Sequence, residues 1–394
     1  MKVGLLTYHW VPNFGAQLQT LSTYKFLEKN ECNPIIINWI PTDTKNYYNR
    51  CVEANQREKH SEFLKKHCSQ TEEFSNMNDI SSVLKNNGVT HLFIGSDSLF
   101  NISKPAYDFQ KRRMNYPSSD HSFPNPFWGH GFEDIPHVGL SISSQNAKYT
   151  DFKNEVDTIG ASLIKFNAIT TRDVWTQSLV SYFTHGKIVP EVTPDPVFAF
   201  NANVSILQTK EEILKKYNLP EKYILFSFSL GRMRAKEEWL NQITGMFHKE
   251  GYTCVMLPKL DGGQMLNLDS AIPSPLSPLD WYYVIKYSSG YIGVLMHPIV
   301  VSLHNSVPCF SFDHYGTGPH FITKKSSSKI FDILNRANLL QCHFMTRNHL
   351  TFPPANKVFR CIMDFPKEKC AEFALAQQER CITNMNNLLQ ELTK

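Results

Sequence analysis

The chain begins with residues 1–39, MKVGLLTYHWVPNFGAQLQTLSTYKFLEKNECNPIIINW. The apolar run over 3–7 predicts a strand, and residues 35–39 predict a second one. Between them, leucines at 18, 21 and 27 recur at near-helical spacing and predict a helix. A strand, a loop, a helix and a second strand form the unit with which a doubly wound parallel sheet usually starts.

The same alternation of strands and helices continues to about residue 200, breaks over 199–209 and then restarts. This pattern predicts an N-terminal α/β domain over 1–200 and a C-terminal α/β domain over 205–365. Residues 366–394 predict one long helix that packs back on the N-terminal domain. The expected fold class is α/β, with two Rossmann-like domains facing across a cleft, GT-B-like, and closed by the C-terminal helix.

The composition excludes several classes of protein. The 394 residues are 42% hydrophobic and 19% charged, which is typical of packed globular chains rather than disordered ones. A net charge of +4 is too small to indicate a nucleic-acid-binding protein. The excess suits an anionic ligand or an anionic membrane surface, so we expect at most peripheral contact with a membrane.

The N-terminus and the cysteines predict a cytoplasmic protein. No apolar run is long enough to span a bilayer, and the first residues lack the features of a signal peptide. The nine cysteines include no C-x-x-C pair, which favours reduced thiols over a disulfide framework or a zinc site.

Four separated segments resemble a known family. They are Asn13-Phe14-Gly15-Ala16-Gln17-Leu18-Gln19, Gly95-Ser96-Asp97-Ser98-Leu99-Phe100-Asn101, Thr171-Arg172-Asp173 with Pro194-Asp195-Pro196, and Gly293-Val294-Leu295-Met296-His297-Pro298-Ile299 followed by Val307-Pro308. In this order and at this spacing they are similar to the polysaccharide pyruvyl transferases. Ser98, Phe100 and Leu295 depart from that pattern; Leu295 stands where many members have an arginine.

The resemblance implies a transferase that moves a pyruvyl unit from phosphoenolpyruvate onto a sugar and forms a pyruvate ketal. The expected acceptor is a lipid-linked oligosaccharide of a bacterial exopolysaccharide or capsule, met by a cytoplasmic enzyme that is at most peripheral at the inner membrane face. Phosphoenolpyruvate would be a co-substrate, and we expect neither a cofactor nor a metal site. Such chemistry needs cations for the donor, a general acid and a general base.

Three residues are the expected catalytic groups. His297 follows a predicted strand and precedes Pro298, so it would stand in the first turn of a helix at the carboxyl edge of a sheet. A structural histidine that caps this turn is the alternative. Arg172 also ends a strand, and could equally pair with Asp173 or Asp195. Asp97 is a candidate base for a sugar hydroxyl, or else the N-cap of a helix.

Other residues are candidates for binding the two substrates. On the donor side they are Ser229, Arg232, Lys324, Lys325 and His297, since cations and hydroxyls beside glycine or before a helix suit phosphate. Solvated surface lysines and arginines are the alternative. On the acceptor side the candidates are Asn13, Gly15, Gln17 and Trp128. Turn chemistry is the alternative for the first three, and a satellite hydrophobic cluster for the aromatic loop around Trp128.

Two other functions remain open. A nucleotide-sugar glycosyltransferase would use the same two-domain architecture, and would release a nucleotide. The missing arginine at Leu295 also admits an inactive sugar-binding or scaffold member of the family, which would bind a sugar without releasing phosphate.

Overall fold

Two parallel six-stranded sheets form the framework of the protein. The computed structural model describes residues 1–109, 112–145, 147–230, 233–313, 328–345 and 352–394. The strands of the first sheet end before residue 193, and those of the second begin at residue 223. The predicted α/β class, with two Rossmann-like domains, is therefore confirmed.

The N-terminal sheet has the strand order β2-β1-β3-β6-β7-β8, and a separate hairpin, β4-β5, lies outside it. Its crossover connections place helices on both faces. The strands of this domain are β1 (Lys2–Leu6), β2 (Asn33–Ile36), β3 (His91–Asp97), β4 (Ala106–Asp108), β5 (Arg113–Asn115), β6 (His137–Ile142), β7 (Ala168–Thr171) and β8 (Glu191–Val192). Its helices are α1 (Phe14–Lys29), α2 (Thr42–Cys51), α3 (Ala54–His67), α4 (Ile80–Asn86), α5 (Val156–Ile164), α6 (Val174–Phe183) and α7 (Phe200–Asn203).

The C-terminal sheet has the strand order β11-β10-β9-β12-β13-β14. Its central strands are buried on both faces, as continuous apolar runs such as the one in β9 require. The strands are β9 (Tyr223–Ser227), β10 (Thr253–Met256), β11 (Ser270–Ala271), β12 (Gly290–Gly293), β13 (Cys309–Asp313) and β14 (His343–Met345). The helices are α8 (Lys210–Tyr217), α9 (Glu237–Lys249), α10 (Pro278–Lys286), α11 (Met296–His304), α12 (Lys329–Arg336) and α13 (Ala355–Met363).

The last helix, α14 (Lys367–Leu392), packs against both domains. The side chain of Asn384 donates to the hydroxyl of Thr170 at 3.3 Å, and Arg380 donates to the carbonyl of Val192 at 3.0 Å. Nearer its start, the helix lies against α11. Among the described helices, neither α14 nor any other is long and apolar enough to cross a membrane.

One prediction about the cysteines was wrong, because Cys342 and Cys361 form a disulfide bond. Their sequence separation of 19 residues gives no sign of the pairing. The fold brings them together, since Cys361 lies on α13 and this helix packs against the short turn Leu340–Cys342 that precedes β14.

The contacts between the two domains include an apolar pair and a polar one. Phe14 at the start of α1 stacks on Trp281 of α10, with ring centroids 5.1 Å apart. Beside them, the buried amide of Gln56 on α3 reaches across to the C-terminal domain. It donates to the carbonyl of Leu276 at 2.7 Å and accepts from the Leu276 N–H at 2.8 Å. The side chain thereby satisfies both backbone groups of Leu276.

We therefore expect Gln56→Leu to lower the free energy of unfolding by about 2–4 kcal/mol, because two buried backbone groups would lose their partners. Chemical denaturation measures this change. Glu58→Ala is the matched control, since Glu58 is an exposed residue of the same helix. Equal stabilities for the two variants would show that the bonds of Gln56 do not hold the domains together.

Candidate functional site

Five polar residues converge where the carboxyl edges of the two sheets face each other. Asp97 is the last residue of β3, Arg172 follows β7 directly, and Asp195 follows β8. From the other domain, His297 stands in the first turn of α11 and Lys329 opens α12. Because the strands of a parallel sheet end at one edge, residues distant in sequence are collected at one site.

The guanidinium of Arg172 lies at the centre of this site and is buried, with 2% of its side chain exposed. Its Nη1 is 2.6 Å from Oδ2 of Asp195, and its Nη2 is 3.5 Å from Oδ1 of Asp97. The amide of Gln19 on α1 donates to the same Asp195 oxygen at 2.6 Å. A buried charge is tolerated only when it is paired, so these carboxylates fix the position of Arg172.

Several donors in the site lack a hydrogen-bond acceptor among the described residues. They include Nε and Nη2 of Arg172, and Nε2 of His297 is likewise buried without a hydrogen bond. The imidazole Nε2 lies 3.9 Å from Oδ2 of Asp195, too far for one. Buried polar atoms are nearly always satisfied, so these atoms indicate a place for a polar ligand.

Lys329 was not singled out from the sequence, although it belongs to the same cluster, where it is half-buried. Burial lowers the pKa of its ammonium group to about 7; the positive charge of Arg172 adds to this effect, and Asp97, Asp173 and Asp195 oppose it. The run KKSSSK over 324–329 contains three lysines, and the sequence does not show that the last of them differs from the other two. The position of Lys329 is set by Ser328, whose hydroxyl caps α12 by accepting from the Phe331 N–H at 3.1 Å.

His297 is held against Gly15, the glycine in the first turn of α1. A Cβ atom at Gly15 would lie 1.9 Å from Cγ of His297, so only glycine leaves room for the ring. Burial lowers the pKa of the imidazole; Asp195 and Asp97 oppose the shift, and Arg172 adds to it. The structure thus brings together one residue predicted for the acceptor and one predicted for the donor.

Asp97 is held ionised in this buried place. Burial alone would raise the pKa of its carboxyl group, but Arg172, Lys329 and His297 outweigh burial and lower it. The N–H of Ser98 also donates to Oδ1 at 2.7 Å. The backbone of Asp97 has φ 114°. Residues other than glycine rarely adopt a positive φ, and those that do are often found at functional sites.

The helix that carries His297 has an open N-terminus. Among the described side chains none caps α11. The N–H of Leu295, the N-cap residue, donates to the hydroxyl of Tyr291 on β12 at 3.3 Å. The first N–H groups of such a helix attract anions. Leu295 itself, which replaces the arginine of the family pattern, supplies no charge.

Two predictions for the acceptor side need correction. Trp128 is fully buried and stacks on Phe100 with ring centroids 4.4 Å apart, so its face is closed to a sugar. Gln17 is buried too, and its amide donates to the carbonyls of His9 and His60 at 3.2 and 3.3 Å. Asn13 remains exposed and caps α1, since its side chain accepts from the Ala16 N–H at 3.3 Å.

The donor-side predictions have separate outcomes. Ser229 is buried, and its hydroxyl donates to the carbonyl of Gly262 at 3.3 Å, which holds two loops together. Arg232, Lys324 and Lys325 lie outside the described residues.

A group with the residue types of a metal site lies at the opposite edge of the C-terminal sheet. It consists of His248, Cys254 and Asp269. The imidazole and the carboxylate already bond each other at 2.8 Å, and burial raises the pKa of the Cys254 thiol to about 12. Among the residues that the structure describes, no hydrogen bond or ion pair joins this group to the site around Arg172.

A comparison with family models identifies the chain. The model described as polysaccharide pyruvyl transferase matches residues 13–315, which is most of the sequence. This match contains all the segments on which the resemblance was based. The chain therefore belongs to the polysaccharide pyruvyl transferase family, and the family is one of transferases. No curated protein matches the sequence significantly.

Solved structures with the same fold include sugar-nucleotide enzymes. The UDP-GlcNAc 2-epimerase from Neisseria meningitidis bound to UDP-GlcNAc is 10% identical, with a TM-score of 0.55, covering 100% of this chain and 99% of that chain. The S. aureus MnaA–UDP co-structure is 11% identical, with a TM-score of 0.53, covering 100% and 98%. The spinosyn forosaminyltransferase SpnP is 10% identical, with a TM-score of 0.53, covering 100% of both chains. At this identity the likeness shows the GT-B fold alone.

The contact between Gly15 and His297 is testable without a substrate. Gly15→Ala should displace the imidazole from its buried position, and the pKa of His297 should rise towards its ordinary value because burial is what lowers it. NMR titration of the histidine resonances, assigned by comparison with His297→Gln, measures this shift.

Gly245→Ala is the matched control, because a Cβ at this other helical glycine meets nothing within 4 Å. It should leave the titration of His297 unchanged. If Gly15→Ala also left it unchanged, the ring would not rest on Gly15 in solution.

Proposed function

We propose that this polysaccharide pyruvyl transferase uses phosphoenolpyruvate as the donor and joins its pyruvyl carbon to two hydroxyls of one sugar. The product is a cyclic ketal, and phosphate is released. The observation that supports this reaction is the buried cluster at the cleft. Arg172 and Lys329 stand beside an ionised carboxylate, Asp97, and a buried imidazole, His297, with donor atoms left unsatisfied.

The donor carries a phosphate and a carboxylate, and the site offers groups for both. The unpaired N–H groups of Arg172 suit a planar carboxylate, and the open N-terminus of α11 suits a phosphate. The described cluster contains two cations, Arg172 and Lys329, against the three carboxylates of Asp97, Asp173 and Asp195. A multiply charged anion therefore needs further cations, and Arg232, Lys324 and Lys325 are the candidates that the sequence offers.

The reaction divides into two steps with balanced protons. In the first, one sugar hydroxyl loses its proton and its oxygen bonds to C2 of phosphoenolpyruvate, while C3 gains a proton and becomes a methyl group. In the second, another hydroxyl of the sugar loses its proton, its oxygen bonds to C2, and the bond from C2 to the phosphate oxygen breaks. The released phosphate leaves with that proton, and none of these steps requires a metal or an organic cofactor.

The shifted pKa values suggest which residue serves each step. Asp97 is ionised at neutral pH and can accept the proton of the attacking hydroxyl. Lys329, with a pKa of about 7, holds a proton near neutrality and can deliver it to C3. The lowered pKa of His297 leaves the imidazole neutral before the donor binds, so we assign it to hydrogen bonding with the phosphate.

The acceptor is proposed to be a lipid-linked oligosaccharide on the way to a bacterial cell-surface polysaccharide. The turn that holds Asn13 and Gly15 lies at the cleft beside His297, where a sugar would meet the donor. The acceptor would then approach from the N-terminal domain, while the donor would lie between Arg172 of that domain and the start of α11 in the other. The enzyme would act in the cytoplasm.

Phosphoenolpyruvate should raise the melting temperature, because a ligand that binds only the folded state stabilises it by about 2.7 kcal/mol at a hundred times its dissociation constant. Differential scanning fluorimetry with phosphoenolpyruvate, inorganic phosphate and UDP-N-acetylglucosamine makes the comparison. Strong stabilisation by the nucleotide sugar and none by phosphoenolpyruvate would favour a glycosyltransferase instead.

The pH dependence of turnover should identify the acid. If Lys329 supplies the proton, turnover falls as the pH rises through about 7, where its ammonium group titrates. Lys329→Arg keeps the charge but stays protonated, so this alkaline limb should disappear and turnover should drop by a hundredfold or more, while the donor still binds.

His297→Gln separates the roles of the two residues. Glutamine cannot titrate but keeps hydrogen-bonding capacity. The variant should therefore retain the alkaline limb that belongs to Lys329 and much of the turnover. Its loss should appear instead as weaker binding of phosphoenolpyruvate. A collapse of turnover in His297→Gln, with an unchanged pH profile in Lys329→Arg, would make His297 the acid.

A further inference from the structure

The hairpin β4-β5 lies apart from both large sheets. Its strands are antiparallel, with Tyr107 opposite Met114 and Asp108 opposite Arg113. Alternate residues of a strand point to opposite faces, so this register places Tyr107 and Met114 on one side and the charged pair on the other.

The Tyr107 side of the hairpin is an exposed apolar surface. Phe109 and Tyr116 follow Tyr107 and Met114 by two residues and extend the same side. The exposed fractions are 48% for Tyr107, 84% for Phe109, 44% for Met114 and 72% for Tyr116. The rings of Tyr107 and Phe109 also touch, with centroids 5.0 Å apart. Large apolar residues grouped in this way on a surface indicate a binding partner.

The same segment is strongly basic. Residues 103–117 contain four basic residues and one acidic residue, a net charge of +3 in a chain whose net charge is +4. Arg112 and Arg113 are exposed. Lys104 serves a different purpose, since its ammonium group pairs with Glu155 at 3.0 Å and fixes the base of the hairpin to the domain.

The base of the hairpin is anchored to the segment that joins β6 to α5, because Lys104 pairs with Glu155. The chain enters the hairpin from the carboxyl end of β3, where Asp97 is the last residue. Because the chain leaves each parallel strand at its carboxyl end, both segments start from the edge of the sheet that carries Asp97.

We propose that the hairpin docks the enzyme on an anionic lipid surface. Tyrosine and phenylalanine side chains favour the boundary between headgroups and acyl chains. Arg112, two residues before Met114, lies on the same side and attracts anionic headgroups. Stacking on a sugar would account for the aromatic rings but not for Met114 or the basic residues. Pairing with a second copy is disfavoured because each strand of the hairpin has three residues.

Vesicle flotation of the full chain tests this proposal, and it needs no turnover, so its outcome is independent of the proposed reaction. The protein should bind vesicles that contain phosphatidylglycerol, bind much less to pure phosphatidylcholine, and dissociate at high salt. Phe109→Ser should weaken binding about tenfold or more, and Arg112→Gln about fivefold. Met265→Ser, which removes another exposed apolar side chain (80% exposed) from the C-terminal domain, is the matched control and should bind like the unaltered protein.

Failure of the unaltered protein to bind anionic vesicles would overturn the proposal. So would equal loss of binding in Phe109→Ser and Met265→Ser. Two further results would give this surface a different partner. Concentration-dependent dimers that Phe109→Ser abolishes would indicate a second copy of the chain. Binding of a soluble oligosaccharide that this variant abolishes, with no vesicle binding, would indicate a sugar.

Discussion

The burial of Arg172 is the constraint on which the site depends. A guanidinium that is removed from water costs several kcal/mol unless carboxylates and hydrogen bonds compensate it. Asp97 and Asp195 supply that compensation from the ends of two different strands, and Gln19 holds Asp195 from α1. The edge of the N-terminal sheet is thereby fixed, and the C-terminal domain completes the cluster with His297 and Lys329.

Burial also separates the roles of the titrating groups. Removal from water disfavours the charged form of every residue in the cluster, but the direction in which each pKa shifts also depends on the neighbouring charges. Asp97 lies between cations and stays ionised, whereas Lys329 and His297 lie near Arg172 and lose protons more readily. A carboxylate base and a lysine acid can then coexist at neutral pH, as transfer to an enol carbon requires.

The fold and part of the site were predictable from the sequence because they depend on local pattern. Apolar runs followed by polar residues located β3, β7 and β12 and, with the family resemblance, led to Asp97, Arg172 and His297 at the carboxyl edges. Other features depend on tertiary contacts that no pattern records. In sequence Lys329 is like its neighbours in the KKSSSK run, and the cap that Ser328 forms on α12 is what places it. The sequence shows Trp128 only as part of an aromatic loop, whereas the fold stacks it on Phe100. Cys342 reaches Cys361 only through the packing of α13. The hairpin β4-β5 was not predicted either, because the sequence around it lacks the alternation of apolar and polar residues that indicates strands.

The central claim is that the cleft protonates phosphoenolpyruvate and closes a ketal on a sugar. Turnover of phosphoenolpyruvate and a lipid-linked acceptor in deuterated water tests it most directly, with mass spectrometry and NMR of the product. The account predicts one phosphate released for each acceptor modified, and a pyruvyl methyl group that carries one deuterium. Release of a nucleotide from a sugar nucleotide, with no phosphate released from phosphoenolpyruvate, would contradict it.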